Sequence, residues 1–164
     1  MATPYSLANI RALLNDGFTT EELRRLCFDN SNFQGTNPVA SMVRFVDGKP
    51  EKKGYRHFNI KTVTGPDDFA SMKEIVGRRY KRIMEEESEY PNLIIVDGGK
   101  GQLSSACEAL QELGLYGKIP IIGIAKKLEE IYYPEDPLPL LISKKSPALL
   151  LIQRIRDEAH RFAI

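Results

Sequence analysis

The sequence has few cysteines: Cys27 and Cys107 lie far apart, without Cys-x-x-Cys spacing and with no histidine cluster near either. They read as buried thiols of a reducing compartment rather than as a disulfide. Charge of one sign is also lacking, since 23 Lys and Arg against 22 Asp and Glu leave a net charge of +1. A nucleic-acid partner would therefore have to be met by basic residues gathered locally. No apolar run approaches the roughly 18 residues of a membrane span, and the amino terminus lacks the basic-then-apolar layout of a signal peptide. The Gly-x-x-x-x-Gly-Lys-Ser/Thr spacing of a nucleotide-binding loop is missing, as are internal repeats, low-complexity tracts and linkers. These absences point to a cytoplasmic protein with no membrane contact. With 42% hydrophobic and 27% charged residues over 164 positions, the chain suits one soluble domain with a single core.

The most informative stretch is Asn92-Leu93-Ile94-Ile95-Val96-Asp97-Gly98-Gly99-Lys100-Gly101-Gln102-Leu103. Leu93 to Val96, bounded by Pro91 and by glycines, predict a strand buried on both faces. Leu103, Ala106, Cys107 and Leu110 then recur at helical spacing, and that helix stops at Leu113-Gly114. Asp97 is thus delivered to the carboxyl end of a strand at a glycine turn, the edge where open α/β sheets bind ligands.

Two short helices are expected before it, over residues 6–14 and from Thr19, where Thr19 and Glu22 have capping-box form. The following junction is irregular. Either the second helix ends by about Arg25 and a very short strand of Leu26, Cys27 and Phe28 follows, or that strand is missing, with a polar loop to Gly35. Residues 39–46 alternate as a strand, Asp47-Gly48 signals a hairpin, and residues 55–62 alternate as the returning strand. Asp67 is a fitting N-cap, and Asp68 a first-turn acid, for a helix burying Phe69, Met72, Ile75, Val76, Tyr80, Ile83 and Met84. After the central strand and helix, residues 119–125 form another buried strand, and residues 131–133 with 138–142 a small hairpin flap. Ser146-Pro147 opens a last helix, whose buried stripe is Ala148, Leu151, Ile152, Ile155, Ala159 and Phe162.

This order, with strand two between strands one and three and strands four and five parallel beside one, is ribonuclease H-like. The fold class is α/β, a mixed sheet of an antiparallel hairpin plus parallel strands, flanked by helices. In that arrangement Asp29, at the end of strand one, and Asp97 would be neighbours at the sheet edge. Two carboxylates about 4 Å apart repel by several kcal/mol at an effective dielectric of 20 and stay ionised together only around a cation. A hard divalent ion, Mg²⁺ or Mn²⁺, suits such oxygen ligands. The last helix offers His160, one turn after Arg156, as a further ligand or as general base.

Several motifs together closely resemble the carboxy-terminal endonuclease domain of the UvrC family. They are residues 28–42, Ile60-Lys61-Thr62-Val63, Asp67-Asp68-Phe69, Arg78-Arg79-Tyr80, residues 96–103, Ile122-Gly123-Ile124-Ala125-Lys126 and residues 155–163. The resemblance covers residues 27–164. It implies a metal-dependent endonuclease of nucleotide excision repair that cuts the damaged strand of double-stranded DNA on the 5′ side of a lesion, with a UvrB–DNA complex as partner. It also implies catalytic and metal roles for Asp29, Asp97 and His160, with Asp68 as a further catalytic acid. Lys100, Lys126 and Arg161 are candidates for contact with the phosphate backbone. The family's UvrB-docking segment and helix-hairpin-helix motifs do not occur in this sequence. Residues 1–26 depart from the family, resembling the opening helices of a small death-like adaptor domain, and are expected to form a helical extension rather than a domain. The alternative to a nuclease is a catalytically inactive nucleic-acid-binding or adaptor module that keeps the fold.

Overall fold

A computed structural model of the chain describes residues 26–32, 39–61, 67–125, 130–140 and 142–163, of which residues 26–32 and 39 are described by their backbone alone. The helices expected over residues 6–25, and Lys126, lie outside these residues.

Among the described residues the frame is one mixed sheet of seven strands: β1 (Leu26–Asn32), β2 (Val39–Val46), β3 (Lys49–Pro50), β4 (Arg56–Asn59), β5 (Leu93–Asp97), β6 (Ile121–Ile124) and β7 (Ile131–Tyr132). Their order is β3-β2-β1-β5-β6-β7, with β4 also paired to β2. β1 runs antiparallel to β2 and parallel to β5, and β5 runs parallel to β6. This is the ribonuclease H-like order that the sequence predicts. β1 resolves the doubtful junction and corrects its expected extent: it continues through the Asp29 to Asn32 run expected to be loop. Pairing on both edges, to β2 along its whole length and to β5 over Leu26 to Asp29, overrides the weak strand preference of Asp and Asn.

The hairpin also differs from expectation. Asp47 and Gly48 both have positive φ, 53° and 75°, as a two-residue hairpin turn requires, yet the return strand is broken. β3 pairs with the end of β2, a 3-10 turn over Lys52–Gly54 intervenes, and β4 then pairs with its beginning. Gly54 permits the break, because a Cβ there would lie 2.6 Å from Arg44 Cδ.

Among the described residues, three helices cover the sheet: α1 (Asp68–Glu85), α2 (Lys100–Glu112) and α3 (Pro147–Ala163). Strand alternation sorts them between the two faces. Ile94 and Val96 of β5 pack with Met72, Val76 and Tyr80 of α1 and Leu103, Ala106 and Leu110 of α2. Leu93 and Ile95 pack on the other face with Ile152, Ile155 and Ala159 of α3. Phe69 and Met84, expected to be buried, are exposed: they sit near the two ends of α1, whereas its middle covers the sheet. The flap forms as a short pairing of β7 with β6, closed by a bridge from Ile131 to Leu140.

Asp67 caps α1 by accepting from the Ala70 N–H at 2.9 Å. Asp67→Ala is expected to cost about 1 kcal/mol of stability, read from urea unfolding, by orphaning that donor.

Candidate active site

Asp97 is the last residue of β5, and its parity decides which way it faces. Counting by twos from Leu93 and Ile95, which pack on α3, puts Asp97 on the α3 side of the sheet. There its Oδ2 lies 2.7 Å from His160 Nε2. A carboxylate only accepts, so in this contact Nε2 carries the hydrogen, and Nδ1 is the ring nitrogen left for other partners. The Asp97 side chain is 2% exposed and the His160 side chain 30% exposed, so one partner is sunk in the sheet edge and the other reaches solvent. Asp97 Oδ1 is buried and has no hydrogen-bond partner among the described residues. A buried carboxylate oxygen left unpaired costs free energy, and a cation bound there would satisfy it.

The turn that follows holds this carboxylate in place. Gly98 N donates to Ile124 O at 2.9 Å, tying the turn to β6. Gly123 of β6 lies under it so closely that a Cβ would be 2.9 Å from the Gly98 carbonyl oxygen. At Gly101 a Cβ would run into the Phe69 ring, so glycine lets the start of α1 approach the start of α2.

The other expected residues divide into several groups. Asp29 lies on β1 opposite Val96, one residue before Asp97, so its backbone borders the same edge; its side chain is outside the described residues. Asp68 is exposed in the first turn of α1. Lys100 is exposed at the start of α2, its Nζ 5.8 Å from the centre of the Tyr132 ring. Arg161 is paired with Glu158 through its Nε at 2.7 Å and Nη2 at 2.5 Å. Among the described residues, no three His, Cys, Asp or Glu side chains converge as a metal cluster, and no helix is long and apolar enough to cross a membrane.

A groove beside Lys100, between α2 and residues 133–137, has Glu108, Glu135 and Asp136 in its lining. Those acids make it a poor continuation of a phosphate track. Cys107 also lines it, but burial pushes its thiol up to about 12, so it stays protonated and unreactive at neutral pH.

The sequence did not single out the side chains that hold the last turn of α3, namely Ser41, Tyr55 and Glu158. Glu158 lies two residues before His160, but Ser41 on β2 and Tyr55 just before β4 are distant in sequence, and alternation alone signals only that they share a face.

The family model described as "UvrC RNAse H endonuclease domain" matches residues 17–164. The UvrABC system protein C of Flavobacterium johnsoniae is 67% identical over 138 residues, which are 84% of this chain and 23% of that protein. The protein of the same name from Chlorobaculum tepidum is 51% identical over 159 residues, 97% of this chain and 25% of that protein. The chain thus spans about a quarter of the length of these curated relatives. Among solved structures, Ciona intestinalis Endonuclease V (D234N) in complex with a 23mer DNA is similar, with a TM-score of 0.48 and 15% identity, over 88% of this chain and 60% of that one.

Proposed function

The chain belongs to the UvrC RNase H endonuclease-domain family, and we propose that it is a divalent-metal-dependent endonuclease unit that hydrolyses a DNA phosphodiester on the 5′ side of a lesion. The observation that carries this reading is the buried Asp97 carboxylate at the carboxyl end of β5, with one oxygen on His160 and the other unpartnered among the described residues. The buried carboxylate fits a hard cation, since Oδ1 is an unused oxygen donor among the described residues; Asp29 pairs with Val96 rather than Asp97, so its place as a second ligand rests on the family resemblance and not on this register. Asp29, Asp97 and His160 would hold Mg²⁺ or Mn²⁺. When bound, such an ion lowers the pKa of a water and polarises a phosphoryl oxygen.

The chain's own residues would do the rest. Asp97 Oδ2 orients the His160 ring through Nε2–H, leaving Nδ1 as the nitrogen able to take a proton from an attacking water. For His160 to use Nε2 as a ligand instead, it would first have to give up this hydrogen bond. Asp68 adds an exposed carboxylate at the start of α1. Lys100, Lys126 and Arg161 position the phosphate backbone without reading bases; Arg161 must first leave Glu158 or share it. Damaged double-stranded DNA in the cytoplasm is the substrate, and a UvrB–DNA complex the partner.

A second reading, a catalytically inactive nucleic-acid-binding or adaptor module, draws on the lack of a three-ligand cluster among the described residues. A Mn²⁺ titration separates the two. Mn²⁺ is expected to raise the melting temperature, by an amount equivalent to about 2.7 kcal/mol at a hundredfold excess over Kd, and to support nicking of ultraviolet-irradiated plasmid. A folded protein that neither melts higher nor nicks would favour the inactive module.

A further inference from the structure

The last turn of a helix is where its backbone is least secured, because the final carbonyls have no intrahelical partner. In α3 that turn carries His160, and side chains from the antiparallel half of the sheet pin it at three points. On β2, Ser41 Oγ donates to the Ala159 carbonyl at 3.2 Å, and both residues are buried. Just before β4, the Tyr55 hydroxyl donates to Glu158 Oε1 at 3.0 Å. On β4 itself, His57 Nε2 lies 2.8 Å from the Phe162 carbonyl oxygen, and the two rings stack with centroids 4.0 Å apart and planes 8° apart. The carbonyl can only accept, so His57 supplies the hydrogen and caps the helix. The residues pinned are 158, 159 and 162, on both sides of position 160.

From this we infer that Tyr55 and His57 are positioning residues for His160: they fix the last turn of α3 so that its ring meets Asp97, although neither touches that pair. Burial and the neighbouring Glu158 carboxylate push the Tyr55 phenol upward, which keeps its hydroxyl protonated and donating. Glu158 is at the same time held by Arg161, so the acceptor is fixed from two directions. The hydrogen-bonded His160 then inherits its geometry from β2 and β4, while Asp97 inherits its own from β5. The site is therefore assembled across the two halves of the sheet. In its catalytic consequence, this inference rests on the nuclease reading above.

The test compares Tyr55→Phe and Glu158→Gln with the wild-type chain. Tyr55→Phe removes only the hydroxyl, while Gln at 158 keeps an oxygen that can accept from it. In metal-free protein, the His160 ring resonances, assigned by comparison with His160→Gln, are expected to shift or broaden in Tyr55→Phe and to stay close to wild type in Glu158→Gln. With Mn²⁺ and plasmid, kcat is expected to fall roughly ten- to a hundredfold in Tyr55→Phe, the size of effect a small misplacement produces. KM should stay within about twofold of wild type. His57→Leu, which loses the cap and the ring stack, should reproduce the shift of the His160 signals. Superimposable His160 signals in both Tyr55→Phe and His57→Leu would overturn the inference. If the wild type does not nick at all, the nuclease reading fails, but the resonance comparison still decides the positioning role.

Discussion

Asp97→Asn is expected to lower plasmid nicking by roughly a thousandfold or more, the loss of several kcal/mol of charge stabilisation at the reacting phosphate, while the protein melts at or above the wild-type temperature. The two halves of this expectation come from the two oxygens. Oδ2 is used by His160, and the Asn oxygen can take that contact over, so the ring keeps its orientation. Oδ1 is buried without a partner among the described residues, a position that costs a carboxylate about 1–3 kcal/mol or more and a neutral amide less. Asn thus removes the charge on which a cation would depend and relieves part of the cost of burying it. Higher stability with lost activity is the signature of a residue kept for function. Nicking with Mn²⁺ and thermal melting on the same samples measure both. Activity within tenfold of wild type would remove Asp97 from the reaction, and a much lower melting temperature would make it a structural cap of the glycine turn.

The site is only partly legible in the sequence, and the reason differs from residue to residue. β5 announces itself because a central parallel strand is buried on both faces, which leaves an uninterrupted apolar run and places Asp97 at its end. α1 and α3 are legible from periodicity, and the Asp67 cap from residue type. β1 is not, since Asp29, Asn30, Ser31 and Asn32 have no local reason to be extended; only pairing holds them so, to β2 throughout and to β5 as far as Asp29. The broken return strand is likewise invisible, because the alternation over residues 55–62 does not register a 3-10 turn set by the packing of Gly54 on Arg44. The Asp97 to His160 contact lies between these cases. Parity puts Asp97 on one face and helical spacing puts His160 on one line of α3, but only the packing of α3 on that face brings them within 2.7 Å. Phe69 and Met84 fit the apolar period of α1 yet are exposed, since a helix stripe can overrun the sheet it covers.

Gly123→Ala should damage both stability and activity, although the nearest atoms that its methyl would meet belong to Gly98, Leu103 and Gly99 and not to a candidate catalytic side chain. The added methyl would lie 2.9 Å from the Gly98 carbonyl oxygen and 3.3 Å from Leu103 Cβ. Neither neighbour is the free end of a flexible side chain, so β6 and the turn must separate. Overpacking of this kind costs about 1–3 kcal/mol. Gly98 directly follows Asp97, and its N–H is tied to Ile124 O at 2.9 Å on the same strand that carries the new methyl. The turn therefore cannot retreat without straining that bond or rotating the end of β5. Movement of even part of an ångström at Asp97 is expected to lower kcat about ten- to a hundredfold. Leu110→Ala supplies the comparison: Leu110 is fully buried in α2, and its truncation costs about 2–5 kcal/mol through a cavity, with no push on the turn. Assayed well below both melting temperatures, Leu110→Ala should keep nearly wild-type kcat while Gly123→Ala does not. If the two variants lose activity only in proportion to their unfolded fractions, the close approach of Gly123 to the turn serves packing alone, and the position of Asp97 is set by β5 without help from β6.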